Sequence, residues 1–305
     1  MDFLIQNILN ALQWGSFYAL IALGYTLVYG VLRLINFAHG DIFMVGAYIA
    51  FGISGVLLGP SIGLSPLWTF VVAVPLTMAL TACVGVTLER IAYRPLRRKG
   101  AHRLYVVITA LMCGFILEYS NLAVLGAERL KFPELIQKSI WHMGDVTITN
   151  LKVIVIVAAI AVFVLLNFIV TKTKIGMAMR GISYDKFAIP LMGIPIDFII
   201  VFTFVLGSAF AGLAGLLYAM SYPILEPFMG MLIGWKAFIA AVVGGIGDIK
   251  GAFVGGFLLG FIEVGVVAMP GLESTYRDLF AFSILLIILW VKPTGLFGMP
   301  QSTKI

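Results

Sequence analysis

Charge is what this chain has least of. Its 305 residues include only 20 basic and 14 acidic side chains, 11% in all, against 61% hydrophobic; an ordinary soluble domain carries about 25% charge. A water-soluble fold is excluded on that ground. Cysteine is almost absent, and Cys83 and Cys113 both lie inside apolar runs. A disulfide framework and a zinc site are thereby excluded, no metal ligand set is expected, and both thiols read as packing residues. No G-x-x-x-x-G-K-[ST] phosphate loop occurs anywhere, so no nucleotide cofactor is expected on this chain and it is not an ATP hydrolase by itself. Polar stretches run to about 25 residues, short of the roughly 50 that a separate soluble domain needs. The chain therefore reads as one membrane domain over residues 1–305, and its net charge of +6 belongs to loops, with no support for nucleic-acid binding. The opening MDFLIQNILN has no basic n-region or small-residue cleavage site, and no removable signal peptide is expected.

What the chain has in quantity is long apolar sequence. Runs such as 153–170, 198–220 and 279–291 are uncharged and rich in Leu, Ile, Val and Phe, as a helix needs to cross about 30 Å of hydrocarbon. The expected fold is all-α: a polytopic integral membrane helical bundle of about eight to ten spans, some glycine-broken or re-entrant. Orientation follows from the short loops, because Lys and Arg collect on the cytoplasmic side. Arg90, Arg94, Arg97, Arg98, Lys99 and Arg103 form one basic loop against the single acid Glu89, and Lys172, Lys174, Arg180 and Lys186 form another. Both are expected inside, with Lys292 and Lys304, where anionic lipid headgroups favour them. The mixed-charge segment 128–145 is expected outside. Spans fall near 8–32, 38–59, 66–88, 104–126, 152–171, 198–221, 232–246, 251–269 and 277–291, the seventh short enough to be a re-entrant hairpin.

Within this apolar background a few polar residues stand out. The stretch LGYTLVYGVLRLINFAHGDIFMVGAYIA carries Arg33, Asn36, His39 and Asp41. Such groups are costly in hydrocarbon and pair with one another, with backbone or with a wet cavity. Two readings stay open: a polar turn at the inner interface, with Asp41 at a helix N-terminus, or a place on a substrate pathway or gate. Glu118, Lys236 and Glu263 are further charges in apolar runs. In AVVGGIGDIKGAFVGG, Gly244, Gly245, Gly247 and Gly251 interrupt a helix, and Asp248 and Lys250 sit in the gap. This is either an interfacial turn or a discontinuous helix facing a small zwitterion, with Gly244 and Gly245 on the pathway. Small residues four apart, at Gly207, Ala211 and Gly215, at Gly251 and Gly255, and at Gly256 and Gly260, predict close helix packing. The inside loop MAMRGISYDKFAIPLMGIPID carries an apolar face at Phe187, Leu191 and Ile194, suited to docking on another protein or lying on the bilayer.

The stretches GYTLVYGVLRLINFAHGD, MRGISYDKFAIPLMGI, VVGGIGDIKGAFVGG and KPTGLFG together resemble the permease subunits of ABC importers for branched-chain amino acids, of the LivH type, in that family's order and spacing over nearly the whole chain. The resemblance implies uptake of Leu, Ile or Val by alternating access across the bacterial cytoplasmic membrane. It also implies a paralogous second permease, two ATP-binding cassette subunits that hold the ATP and magnesium, and an extracytoplasmic binding protein. Arg180, Asp185, Ala188 and Gly193 match the family's coupling loop, here near 172–197. Two positions depart from the pattern: Phe187 stands where an acid is common, and Pro190 predicts a short or kinked loop helix. Permeases for urea and short amides resemble the same group. An ion-coupled transporter using Glu118 or Asp41, and a channel or scaffold subunit, are the readings from other classes.

Overall fold

A computed structural model describes residues 2–185, 188–269, 271 and 273–298. The expected spans correspond one for one to helices: α1 Asp2–Leu32, α2 His39–Leu58, α3 Pro66–Leu88, α5 Arg103–Leu125, α6 Asn150–Lys172, α9 Ile196–Ser221, α10 Met229–Gly245, α11 Ile249–Val267 and α12 Arg277–Val291. Seven of them are long and apolar enough to cross a membrane, while α10 and α12 have 17 and 15 residues. The third span does not stop at Leu88. It continues through one π-helical turn, Glu89–Tyr93, into α4, Arg94–Arg98, giving 33 residues in all. Two short helices, α7 Lys174–Tyr184 and α8 Ala188–Leu191, fill the second basic loop.

The only strands among the described residues are short and lie together at one end. β2 Ile140–Met143 pairs antiparallel with β3 Val146–Thr149, and β1 Leu130–Lys131 with β4 Ile224–Leu225. The start of α1 joins them, with the Thr147 N–H donating to Gln6 Oε1 at 2.8 Å. This is the hairpin end of the bundle. The opposite, basic end gathers Arg94–Arg98, α7 and the start of α9.

α1 is the central helix, buried along most of its length from Ala11 to Leu32. It can be central because its neighbours meet it with small residues. A Cβ added to Gly256 would overlap the Ala19 backbone, and one on Gly260 would overlap that of Gly15. The same device sets α10 against α11, where Gly255 leaves room for the Ala240 carbonyl, and α9 against α2, where Gly215 leaves room for the Phe43 carbonyl. In lipid, where apolar burial gives helices no drive to associate, such backbone approach is what makes dispersion contacts dense. A second apolar cluster at the basic end packs Met179 and Ile182 of α7 beneath Val28, Val31, Tyr93, Ile199 and Phe204.

Candidate substrate pathway and its links to the basic end

Residues 33–38 join α1 to α2 without regular structure. Arg33 has φ +56° and closes α1 through its N–H to the Tyr29 carbonyl, 2.8 Å, the left-handed cap that usually falls to glycine. From there the chain runs back into the bundle. Asp41 Oδ2 occupies the place that a Cβ on Gly114 would need, and Gly114 is the central residue of α5, eleven from either end. α2 therefore starts beside the middle of α5, while Asn36 stays next to Tyr93 at the basic end.

Asn36, His39, Asp41 and Glu118 are all buried. The Asn36 amide oxygen accepts from the Tyr93 hydroxyl at 2.6 Å. The His39 ring fills the space above Gly24, its Nε2 standing where any Cβ would go, and lies edge-on to Tyr25 with centroids 4.9 Å apart. The Tyr25 hydroxyl accepts from the Gly40 N–H at 3.2 Å. The carboxyl groups of Asp41 and Glu118 face each other, and Glu118 lies against the backbone of Met231.

That last contact brings in the second broken helix. α10 starts beside α2, glycine against glycine: a Cβ on Gly40 would meet the Gly230 carbonyl at 2.6 Å and the Gly234 Cα at 2.7 Å. Two helix N-termini, each with a partial positive charge, thus converge on two carboxyl groups inside the bundle. Beside them is a cavity of about 60 Å³ whose walls include Phe37, Phe115 and Trp235. Asn36 and His39 flank this cluster, and Asp41 and Glu118 form it.

Gly244 and Gly245 are not in it. Both lie at the basic end, where α10 turns into α11 through 246–248. Gly244 packs on Gly251, and Gly245, at φ +110°, abuts Gly298. The carbonyls that the break exposes are filled by the KPTGLFG segment: the Leu296 and Phe297 N–H groups donate to Val243 and Gly244 at 2.8 and 2.9 Å. Asp248 caps α11 through the Gly251 N–H at 2.8 Å. The glycine-rich stretch is a closed turn, and the helix break at the cavity lies at Gly40 and Gly230 instead. Lys236 and Glu263 likewise belong elsewhere. They pair with each other at 2.9 Å, and Lys236 also reaches Asp278 at 2.6 Å, while Tyr18 donates to Glu263 at 2.7 Å.

At the basic end, Asp197 in the first turn of α9 is held by Arg94, by Arg97 at 2.7 Å and by Arg98 at 3.0 Å; Arg97 also holds the buried Glu89 at 2.9 Å. The sequence singled out these arginines only for orientation. The overlooked signal was one acid, Asp197, opening a span that faces a basic run. The π-turn beside this clasp ends at Tyr93, the residue that holds Asn36. Arg94 of the clasp directly follows Tyr93 in the chain, so a single hydrogen bond joins the clasp to the candidate pathway.

In the second basic loop, Arg180 bonds the Val170 carbonyl, the Asp185 N–H closes α7 on Gly181 at 2.9 Å, Ala188 begins α8, and Gly193 at φ +77° ends it. The loop helix is broken in two, as Pro190 predicts. Lys186, Phe187 and Lys304 lie outside the described residues. α7 buries Met179 and Ile182 but leaves Tyr184 82% exposed, and Leu191 beyond it is 89% exposed.

Comparison with known proteins places the sequence in a family. The family described as "Branched-chain amino acid transport system / permease component" matches residues 7–289. The high-affinity branched-chain amino acid transport system permease protein LivH of Salmonella typhimurium is 35% identical, over 99% of this chain and 98% of that one. BraD of Pseudomonas aeruginosa, of the same description, is 36% identical over the same shares. Among solved structures, PsaBC from Streptococcus pneumoniae in complex with Fab aligns over 97% of this chain and 94% of that one, at 17% identity and a TM-score of 0.49. With its multiple apolar spans, the chain is a multi-pass protein of the bacterial inner membrane and belongs to the permease components of branched-chain amino acid transport systems.

Proposed function

We propose that this chain is one of two permease subunits of an ATP-driven importer for leucine, isoleucine or valine, and that Asp41 and Glu118 lie on the path the amino acid takes. The observation that carries the reading is the convergence of the α2 and α10 N-termini on two carboxyl groups beside the middle of α5, in a chain that matches the family almost end to end. A substrate ammonium would sit against the carboxyl pair, and its carboxylate against the positive ends of the two helices. Its apolar side chain would rest on Phe37, Phe115 and Trp235. The cavity of about 60 Å³ holds only part of such a molecule. Phe115, Met231 and Trp235 on its walls are exposed, which supports closure by a second, paralogous permease. The energy comes from two partner ATPase subunits holding ATP and magnesium, and an extracytoplasmic protein delivers substrate.

The basic end is the cytoplasmic side in this reading, and Tyr184, Leu191 and Met192 are the apolar contact for the ATPase. Arg180 and Gly193 shape that contact, Arg180 by fastening α7 to α6 and Gly193 by turning the chain into α9. ATP binding would move α7 and α8, and the permease pair would expose the cavity first to one side and then to the other.

The test is uptake of labelled leucine and urea into proteoliposomes holding the chain with its co-purifying membrane and ATPase partners and the binding protein. Saturable leucine uptake that stops without ATP is expected. Urea uptake alone would replace the substrate, and uptake indifferent to ATP would sink the importer reading.

A further inference from the structure

A second cavity is larger than the one at Asp41. It lies at the hairpin end, has a volume of about 600 Å³, and is bounded by α1, α6, α11 and α12. Three cations from separate parts of the chain meet on it: Lys138 before the hairpin, Lys152 at the start of α6 and Arg277 at the start of α12. This is the end opposite the basic loops, so the bias that gathers Lys and Arg on one side of a membrane does not account for them. Lys138 and Lys152 have no ion-pair partner among the described residues, whereas Arg277 lies 3.3 Å from Asp278 and 3.8 Å from Glu263. The one acid on the cavity wall among the described residues, Glu263, is buried and already engaged by Lys236 at 2.9 Å and the Tyr18 hydroxyl at 2.7 Å. Lys152 rests on a neutral partner, the Asn10 side-chain oxygen, at 2.7 Å.

The remaining wall is mixed, with Asn7, Gln13 and Thr149 beside apolar residues that are open to the surroundings. Phe3 is 70% exposed, and Val267 is exposed on α11. Unpaired cations at the ends of spans, beside exposed apolar side chains of a helix bundle, form an arrangement that can receive a lipid: phosphate at the rim, acyl chain along the side. We infer that this cavity is a binding site for an anionic phospholipid of the leaflet at the hairpin end, its phosphodiester held by Lys138 and Lys152 and its chain lying along Phe3 and Val267. The site is separate from the cavity at Asp41 and independent of what the transporter carries.

The test uses the complex as purified, reconstituted in nanodiscs of phosphatidylcholine alone, of phosphatidylcholine with phosphatidylglycerol, or of phosphatidylcholine with inorganic phosphate in the buffer. Native mass spectrometry then reads retained lipid, and thermal unfolding reads protection. Phosphatidylglycerol should be retained and protective, and the K138Q/K152Q double variant should lower its retention roughly thirtyfold, the effect of two headgroup-facing cations. K138Q alone changes one exposed side chain, so it keeps the fold while lowering retention part of the way. R103Q, at the basic end, should lower retention far less than the double variant and leave the thermal protection in place. Equal retention of both lipids, or loss with R103Q as great as with the double variant, would overturn the inference. Equal protection by inorganic phosphate would assign the site to a free anion and overturn it as well.

Discussion

At the scale of single residues, the polar groups earn their places by filling space that glycine leaves. His39 stands on Gly24, Asp41 on Gly114 and Gly40 on Gly230 and Gly234, so each polar contact depends on a missing Cβ opposite. Gly40→Ala should cost about 1–3 kcal/mol by overpacking, read as a lower melting temperature in detergent, and should separate the two helix starts. Glu118→Gln keeps the shape but removes a charge-capable partner. If an ammonium binds there, the apparent KM for leucine should rise roughly tenfold, in line with the weight of a hydrogen bond to a charged group; unchanged uptake kinetics at normal expression would remove Glu118 from the pathway. Much of this was legible. Asn36, His39, Asp41 and Glu118 stood out because hydrocarbon makes such residues costly. Their partners Tyr25 and Tyr93 did not, because a tyrosine in an apolar run looks like packing until its hydroxyl is placed. Gly40 and Gly230 were missed for a related reason: a lone glycine gives no pattern, whereas the clustered glycines of 244–251 did and turned out to build a turn.

At the scale of elements, helix existence and helix ends were read from different signals and with different success. Apolar runs delimit spans well, because a span must bury or expose some 20 apolar side chains in register with the hydrocarbon. Depth is another matter. Nothing in the order of residues 33–41 says that α2 starts beside the middle of α5, since that is set by where α5 and α10 stand. The small-residue ridges were legible as packing surfaces, though not which helix each would meet. Gly256→Leu should therefore force α11 off α1 near Ala19 and lower the melting temperature sharply, while Gly265→Leu, where an added Cβ meets nothing within 4 Å, should leave it within the scatter of an ordinary surface change. The clasp at Asp197 belongs to this scale too. Asp197→Asn should weaken three guanidinium contacts at once and loosen α4 from α9. If the ATPase acts through this end, ATP hydrolysis by the assembled complex should lose its stimulation by substrate while the subunits still co-purify; full stimulation would show that the clasp only holds the fold.

At the scale of the whole molecule, two parts of one bundle carry separate tasks: the basic end presents Tyr184 and Leu191 outward, and the interior holds the carboxyl pair. Leu191→Asp should abolish co-purification of the ATPase without shifting the melting temperature, because a side chain 89% exposed contributes little to the chain's own packing. Retained ATPase would move the contact elsewhere on the loop. Between the two runs the π-helical turn of Glu89–Tyr93, and its geometry fixes more than its own five residues. A π-turn holds one residue more than an α-turn, so everything beyond it is rotated by about 100° relative to an uninterrupted helix. Removing Ile91 alone would restore the α-helical count and swing Arg94, Arg97 and Arg98 away from Asp197 together. The basic residues would all still be present and the sequence nearly unaltered, yet the third span would end facing a different neighbour: the clasp is written in the length of that turn as much as in the charges that close it.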